Sequence, residues 1–298
     1  MYIVTGATSN TGSVVAHRLL DEGKKVRVIG RDLEKLKSFT IRGAEAFVAE
    51  PTDAAALTQA FKEAKAAWIM LQPNYIADSK DFPAYQAAVT HAIVTAIAAN
   101  GLEHAVTLSS WGADRTYGTG PVLGLHNLEQ ALNQLASLNI LHLRAGYFME
   151  NTLSYIDSIR KYEKVIGPFD QDLALPFIST ADIGHAGADA LINLLFSGHQ
   201  VQELHGQCHL SIREAVTIIG SAIGKPDLIY EQNSVKEFGQ ELLAYGVSAN
   251  VSALMEEVVN GINSRNLTTT QPRTKNSTTP TSFEQFVADT FVPTYNKL

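Results

Sequence analysis

Short apolar runs alternate along the chain with longer stretches that are apolar on one side only. Tyr2–Thr5 is a run of the first kind, rich in β-formers. A small polar loop bounded by Gly6 and Gly12 follows it. Over 13–20, Val14, Val15, Leu19 and Leu20 can share the inward side of a helix. A second β-prone run covers 25–29. Strand, glycine loop, helix and strand within about 30 residues are the footprint of a nucleotide-binding βαβ unit.

The rhythm continues. It predicts strands over 44–50, 67–71, 103–109 and 140–143, helices over 54–64 and 81–100, and a further helix around His126. Strands alternating with helices of about 10–15 residues predict a parallel sheet. Beyond Asn151 the pattern weakens. Residues 165–172 read as a loop, 177–181 as a strand, and Asp182 as the cap of a helix over 183–196. A strand over 204–210 follows, then a helix over 212–223 stopped by Gly224 and Pro226. A short strand over 227–231 and helices over 235–244 and 249–261 come next. Residues 264–280, rich in Thr, Asn and Pro, form a connector. A last helix starts at a Ser282/Gln285 capping box. The expected fold is α/β: a Rossmann-type doubly wound parallel sheet in a dinucleotide-binding domain over 1–150, and a smaller mixed α/β C-terminal lobe over 151–298. Elements over 176–210 return from that lobe to the sheet, and the cleft between the two parts is the expected pocket.

Composition narrows the functions. The 298 residues are 45% hydrophobic and 18% charged, enough for a sizeable core. A net charge of −7 argues against a general nucleic-acid binder. The single cysteine, Cys208, excludes an intrachain disulfide. No apolar run approaches the ~18 residues that span a bilayer. With the first strand beginning at Tyr2, no signal peptide and no membrane association are expected, and the expected location is the cytoplasm. His205, Cys208 and His209 suggest a metal site. On one strand, however, 205 and 209 face one side and 208 the other, so none is expected.

The glycine loop has a physical task. Gly6 permits the tight turn off the strand, and Gly12 lets the helix pack closely on the sheet. Free N–H groups at the helix start, with the helix dipole behind them, favour a phosphate. Thr8, Ser9, Asn10 and Thr11 add hydroxyl and amide donors. Arg31 follows the second strand. An acid there would hold the 2′-hydroxyl of NAD, whereas an arginine suits the 2′-phosphate of NADP. The residue points to NADP(H) over NAD(H), although Lys24, Lys25, Arg27, Lys35, Lys37 and Arg42 nearby also fit a solvated basic face. Asp32 is expected to cap the next helix. Leu71, Gln72 and Pro73 close the fourth strand, where a doubly wound sheet meets its cofactor.

The string TGATSNTG resembles the TGATGxxG of the NmrA-like family of atypical short-chain dehydrogenase/reductases, with Ser9 at the family's middle glycine. The segment LSSWGADRTYGTGPVLGLHNLEQAL, the stretch RAGYFMEN at 144–151 (with Ala145 at the family's proline) and the ending PTSFEQF carry the resemblance over essentially the whole chain. It implies that Glu50 lies near the adenine, that Ser109 and Tyr147 help hold the cofactor, and that Trp111, Phe148 and Asn151 line the substrate pocket.

Ordinary short-chain dehydrogenases use a serine and a Tyr-x-x-x-Lys pair. None of the ten tyrosines has a lysine four residues on; Tyr117 has Pro121 there. Ser109 and Ser110 remain. His126 stands where the NmrA-like family often has a lysine or histidine, with Glu129 on the same helical face. Pairing with that carboxylate would favour the imidazolium and make His126 a proton donor. The alternative is a ribose-binding or structural histidine. The resemblance implies an oxidoreductase that passes hydride from NADPH to a small acceptor such as a quinone or azo compound, with His126 and Ser110 as candidate catalytic residues. The missing Tyr-x-x-x-Lys pair supports a second reading, a non-catalytic NADP(H) redox sensor that signals through a protein partner. An isomerase or epimerase fits less well, because that chemistry normally keeps the tyrosine base.

Overall fold

The computed structural model describes residues 1–71 and 78–297. In chain order the first elements are β1 (Tyr2–Thr5), α1 (Asn10–Asp21), β2 (Val26–Gly30), α2 (Leu33–Thr40), β3 (Glu45–Val48), α3 (Ala54–Ala60), β4 (Ala66–Met70), α4 (Phe82–Asn100), β5 (His104–Ser110), α5 (Val122–Leu132) and β6 (Asn139–Ala145). They continue with β7 (Tyr147–Phe148), α6 (Tyr155–Tyr162), β8 (Val165–Gly167), β9 (Ala174–Ile178), α7 (Thr180–Asn193), β10 (His199–Leu204), β11 (His209–Ser211), α8 (Ile212–Ala222), β12 (Tyr230–Gln232), α9 (Val235–Ala244) and α10 (Ala249–Asn263). Helical turns over Phe283–Lys297 end the chain, with a π turn at Val287–Phe291.

Seven strands form one sheet in the order β3-β2-β1-β4-β5-β6-β10, and every pairing in it is parallel. Alternate side chains enter two cores: Ile3, Ile69 and Ile140 one, Val4, Trp68 and Leu141 the other. Covering both faces explains why these strands read as continuous apolar runs. A three-stranded sheet, β11-β9-β7, and a β12–β8 pair lie beside a third core that contains Trp111, Tyr147, Phe177 and Phe283. The Rossmann-type sheet with a smaller mixed part is as expected.

Some local expectations need correction. Ser179, not Asp182, caps α7; the Asp182 carboxylate instead accepts the N–H and hydroxyl of Thr281 at 3.0 and 2.8 Å. The single strand expected over 204–210 is two, because Gly206 turns the chain with a φ of +69°. Among the described residues one helix, α4, is long and apolar enough to cross a membrane, with 19 residues and a mean hydropathy of 1.2. Its Val89, Ile93, Ala96 and Ile97 are buried against the sheet. The 264–280 connector has no helix or strand and is held to the edge strand β10 by buried Glu203. That carboxylate accepts from Thr270 N, Thr270 Oγ1, Gln271 N and His205 Nε2. Burial alone would raise its pKa, but these bonds outweigh burial and hold it at about 2.

One buried histidine makes the fold acid-sensitive. His142 on β6 is fully buried between Thr107 Oγ1 (2.7 Å) and Asn133 Oδ1 (3.1 Å), and burial lowers its pKa to about 4. The unfolded chain therefore binds this proton first, near the ordinary value of 6.5. Stability is full above that value and falls as the pH drops towards 4. Between pH 7 and pH 4.5 the loss should be about 2–3 kcal/mol. It should be largely absent in His142→Gln, measured by urea unfolding at both pH values. Equal pH slopes in the two proteins would contradict the assignment.

Candidate active site

In a parallel sheet of this order β1 lies between β2 and β4, and the carboxyl ends of the strands share one rim. At the end of β1, Gly6 turns the chain with a φ of +61°. A Cβ on Gly12 would lie 2.3 Å from the Gly6 carbonyl oxygen, so this loop closes only around a glycine. Ser9, expected as an outward donor, is engaged inward. Its N–H donates to Gly6 O at 2.9 Å, and its Oγ accepts from Gly12 N at 3.0 Å and donates to Met70 Sδ at 3.3 Å. It caps α1 and fixes the loop. The N–H groups of Asn10 and Thr11 meet no acceptor among the described residues. Thr8 and Asn10 are exposed, whereas Thr11 is buried. A cradle of unengaged N–H groups at a helix start fits a phosphate.

The basic cluster separates into engaged and open members. Arg27 is buried, donating to Glu45 and to the carbonyls of Ala60 and Lys62. Lys37 pairs with Glu34, and Arg42 pairs with Asp21 and His17. Arg31 is exposed at the end of β2 and makes no ion pair or hydrogen bond with the described residues. Asp32 caps α2 through Glu34 N at 2.9 Å, as expected. Glu50 is exposed beyond β3, while Asp53 caps α3. Leu71 is buried at the end of β4; Gln72 and Pro73 lie outside the described residues.

Across the rim, β5 ends at Ser109 and Ser110. Ser109 is buried, and its hydroxyl donates to Glu129 Oε1 at 2.5 Å. Ser110 is half-buried, and its side chain has no partner among the described residues. His126 Nδ1 lies 2.9 Å from the Ala113 carbonyl oxygen. A carbonyl only accepts, so Nδ1 carries the proton, and Nε2 has no hydrogen-bond partner among the described residues. The expected His126–Glu129 pairing is absent. The Glu129 carboxylate turns inward to Arg144, at 3.0 Å from Nε and 2.5 Å from Nη2. Burial works against the Arg144 charge, but the bonds and charge of Glu129 prevail and raise its pKa above the ordinary value. Sequence reading missed this pair. The signal was that Glu129 falls on the inward stripe of Leu125, Leu128 and Leu132, where a charge needs a buried partner.

The strand ends are joined. Trp111 N donates to Ala145 O at 3.0 Å, and Gly146 N to Leu204 O at 3.0 Å. Gly146 is forced, since a Cβ there would lie 2.2 Å from the Pro176 carbonyl oxygen. Trp111 and Tyr147 are nearly buried; Tyr147 meets Phe169 and Phe177 edge to face. Phe148 is half-buried against the sheet's own core, and Asn151 is exposed. The preceding Glu150 accepts from Thr180 N at 3.1 Å and from its hydroxyl, and burial raises its pKa. His91 lines a groove of about 470 Å³ between α4, α5 and α10, on a different flank of α5 from His126. No cluster of metal-ligating residues occurs among the described residues; His205 pairs with Glu203, and His209 with Arg273.

A parallel sheet of this order with a glycine cradle at its first turn defines the Rossmann-type dinucleotide-binding class. The NmrA-like family model matches residues 2–287, and the chain belongs to that family. Its structure is similar to that of the Escherichia coli NADPH-dependent quinone oxidoreductase QOR2 in complex with NADPH, at a TM-score of 0.82 and 21% identity, covering 98% of this chain and 100% of that one. It is similar also to the Citrobacter sp. triphenylmethane reductase complexed with NADP(H), at a TM-score of 0.78 and 15% identity, covering 95% and 98%. In sequence it is 25% identical over 248 residues to a (4-alkanoyl-5-oxo-2,5-dihydrofuran-3-yl)methyl phosphate reductase of Streptomyces griseus subsp. griseus, covering 82% of this chain and 81% of that protein.

Proposed function

We propose that this chain binds NADP(H) along the carboxyl rim of its sheet and reduces a small acceptor such as a quinone or azo compound. The observation that carries the reading is a matched set on one rim. Asn10 and Thr11 offer N–H groups for the pyrophosphate, and Arg31 a guanidinium for the 2′-phosphate, none of which has a partner among the described residues. Family membership and the similarity to NADPH-bound reductases support it.

When bound, the dinucleotide supplies a hydride from its nicotinamide. The chain's own residues orient and protonate. The Ser110 hydroxyl, without a partner among the described residues, donates to an acceptor oxygen. His126, held by Ala113 O through Nδ1, gives a proton from Nε2 only as the imidazolium. A quinone thus gains one hydride and one proton, and needs no tyrosine acid.

Cofactor choice is tested at Arg31. A charge-assisted hydrogen bond is worth ~1.5–3 kcal/mol, so Arg31→Ala should weaken NADPH binding roughly 10- to 150-fold by calorimetry and leave NADH nearly unchanged. Equal losses for both cofactors would assign Arg31 to the surface.

A further inference from the structure

Helix α5 carries His126 and is fastened to the sheet by two stacked polar clamps. The lower joins Asn133, just past its end, to His142 on β6 and through it to Thr107 on β5. The upper joins Glu129 to Arg144 on β6 and Ser109 on β5. Thr107 faces His142 and Ser109 faces Arg144 in the strand register, so the clamps stand two residues apart along both strands. The upper one lies directly under the rim, next to Ser110 and Ala145.

We propose that the Ser109–Glu129–Arg144 clamp positions the reductase site: it fixes the height and rotation of α5, and so sets His126 against Ser110. This rests on the reading of His126 and Ser110 given above. Glu129 is 1% exposed, too deep to meet an acceptor itself. Stability gives no reason for an ion pair there, since well-packed apolar residues often replace such a pair at no loss. The clamp specifies geometry. Its two carboxylate oxygens meet a planar guanidinium fork at fixed angles, and the Ser109 hydroxyl fixes the third direction. Three residues before Glu129, His126 lies on the same side of the helix, and among the described residues its ring is held otherwise by one bond, to Ala113 O. Ser109, donating to Glu129, is removed from the rim as a donor, which leaves that part to Ser110.

The test is the double variant Glu129→Leu/Arg144→Met, which removes both charges together, with Glu129→Gln beside it. The double variant should melt near the wild-type temperature and bind NADPH within about 2-fold, because no cradle group is touched. Its quinone turnover should fall by about 10-fold or more, as for a catalytic group displaced by a fraction of an ångström. The ¹⁵N signals of the His126 ring should change from one fixed Nδ1–H tautomer to an exchanging mixture. Glu129→Gln keeps a hydrogen-bonding group in place and should show the same changes to a smaller degree, so it carries the test if the double variant does not fold. Unchanged turnover with unchanged His126 ring signals, in whichever of the two folds, would overturn the proposal. A wild-type protein without turnover would instead count against the reductase reading, and the ring signals would still decide whether the clamp holds His126.

Discussion

Replacing Gly12 with leucine is expected to abolish NADPH binding while leaving the fold in place. The position of a single Cβ, 2.3 Å from the Gly6 carbonyl oxygen and 3.0 Å from Ser9 Oγ, already conflicts with the loop. Overpacking of this kind costs about 1–3 kcal/mol. Here the contact is with backbone, so relief requires opening the turn, which also moves the N–H groups of Asn10 and Thr11. The isobutyl group would then stand where a pyrophosphate must approach. Val15, Ala16 and Leu19, which bury α1, are untouched, so circular dichroism should remain near wild type. Calorimetry should show affinity lower by about 100-fold or more, some 2.7 kcal/mol. An unchanged Kd would contradict the phosphate cradle.

His126→Ala should lower quinone turnover by ~10²-fold, the low end for general acid catalysis, with NADPH affinity little changed. With Nδ1 engaged by Ala113 O, the proton that His126 gives leaves from Nε2, which has no hydrogen-bond partner among the described residues. A variant whose loss appears in NADPH affinity, at undiminished turnover, would make His126 a ribose ligand.

The local parts of this site were legible in the sequence because they are made by neighbours in the chain. Gly6 to Gly12 close their own loop, Asp32 caps the helix that follows it, and Arg31 directly follows its own strand. The missed parts join distant residues. Glu129 was read with His126, three residues away, but its partner is Arg144 on another strand. Asp182 looked like a helix cap, yet it holds Thr281, 99 residues on. Glu203 drew no notice, although it anchors Thr270 and Gln271 to the sheet edge. Each is a buried carboxylate. Periodicity places such a residue inward but does not name the donor it must find there.

The reductase reading requires that the chain pass hydride. The decisive measurement is stopped-flow mixing of the NADPH-loaded protein with a panel of small quinones. Nicotinamide oxidation is expected to run faster than the uncatalysed background, saturating in acceptor for at least one quinone. No oxidation above background for any acceptor, alongside tight NADPH binding, would contradict it and make the chain a cofactor sensor.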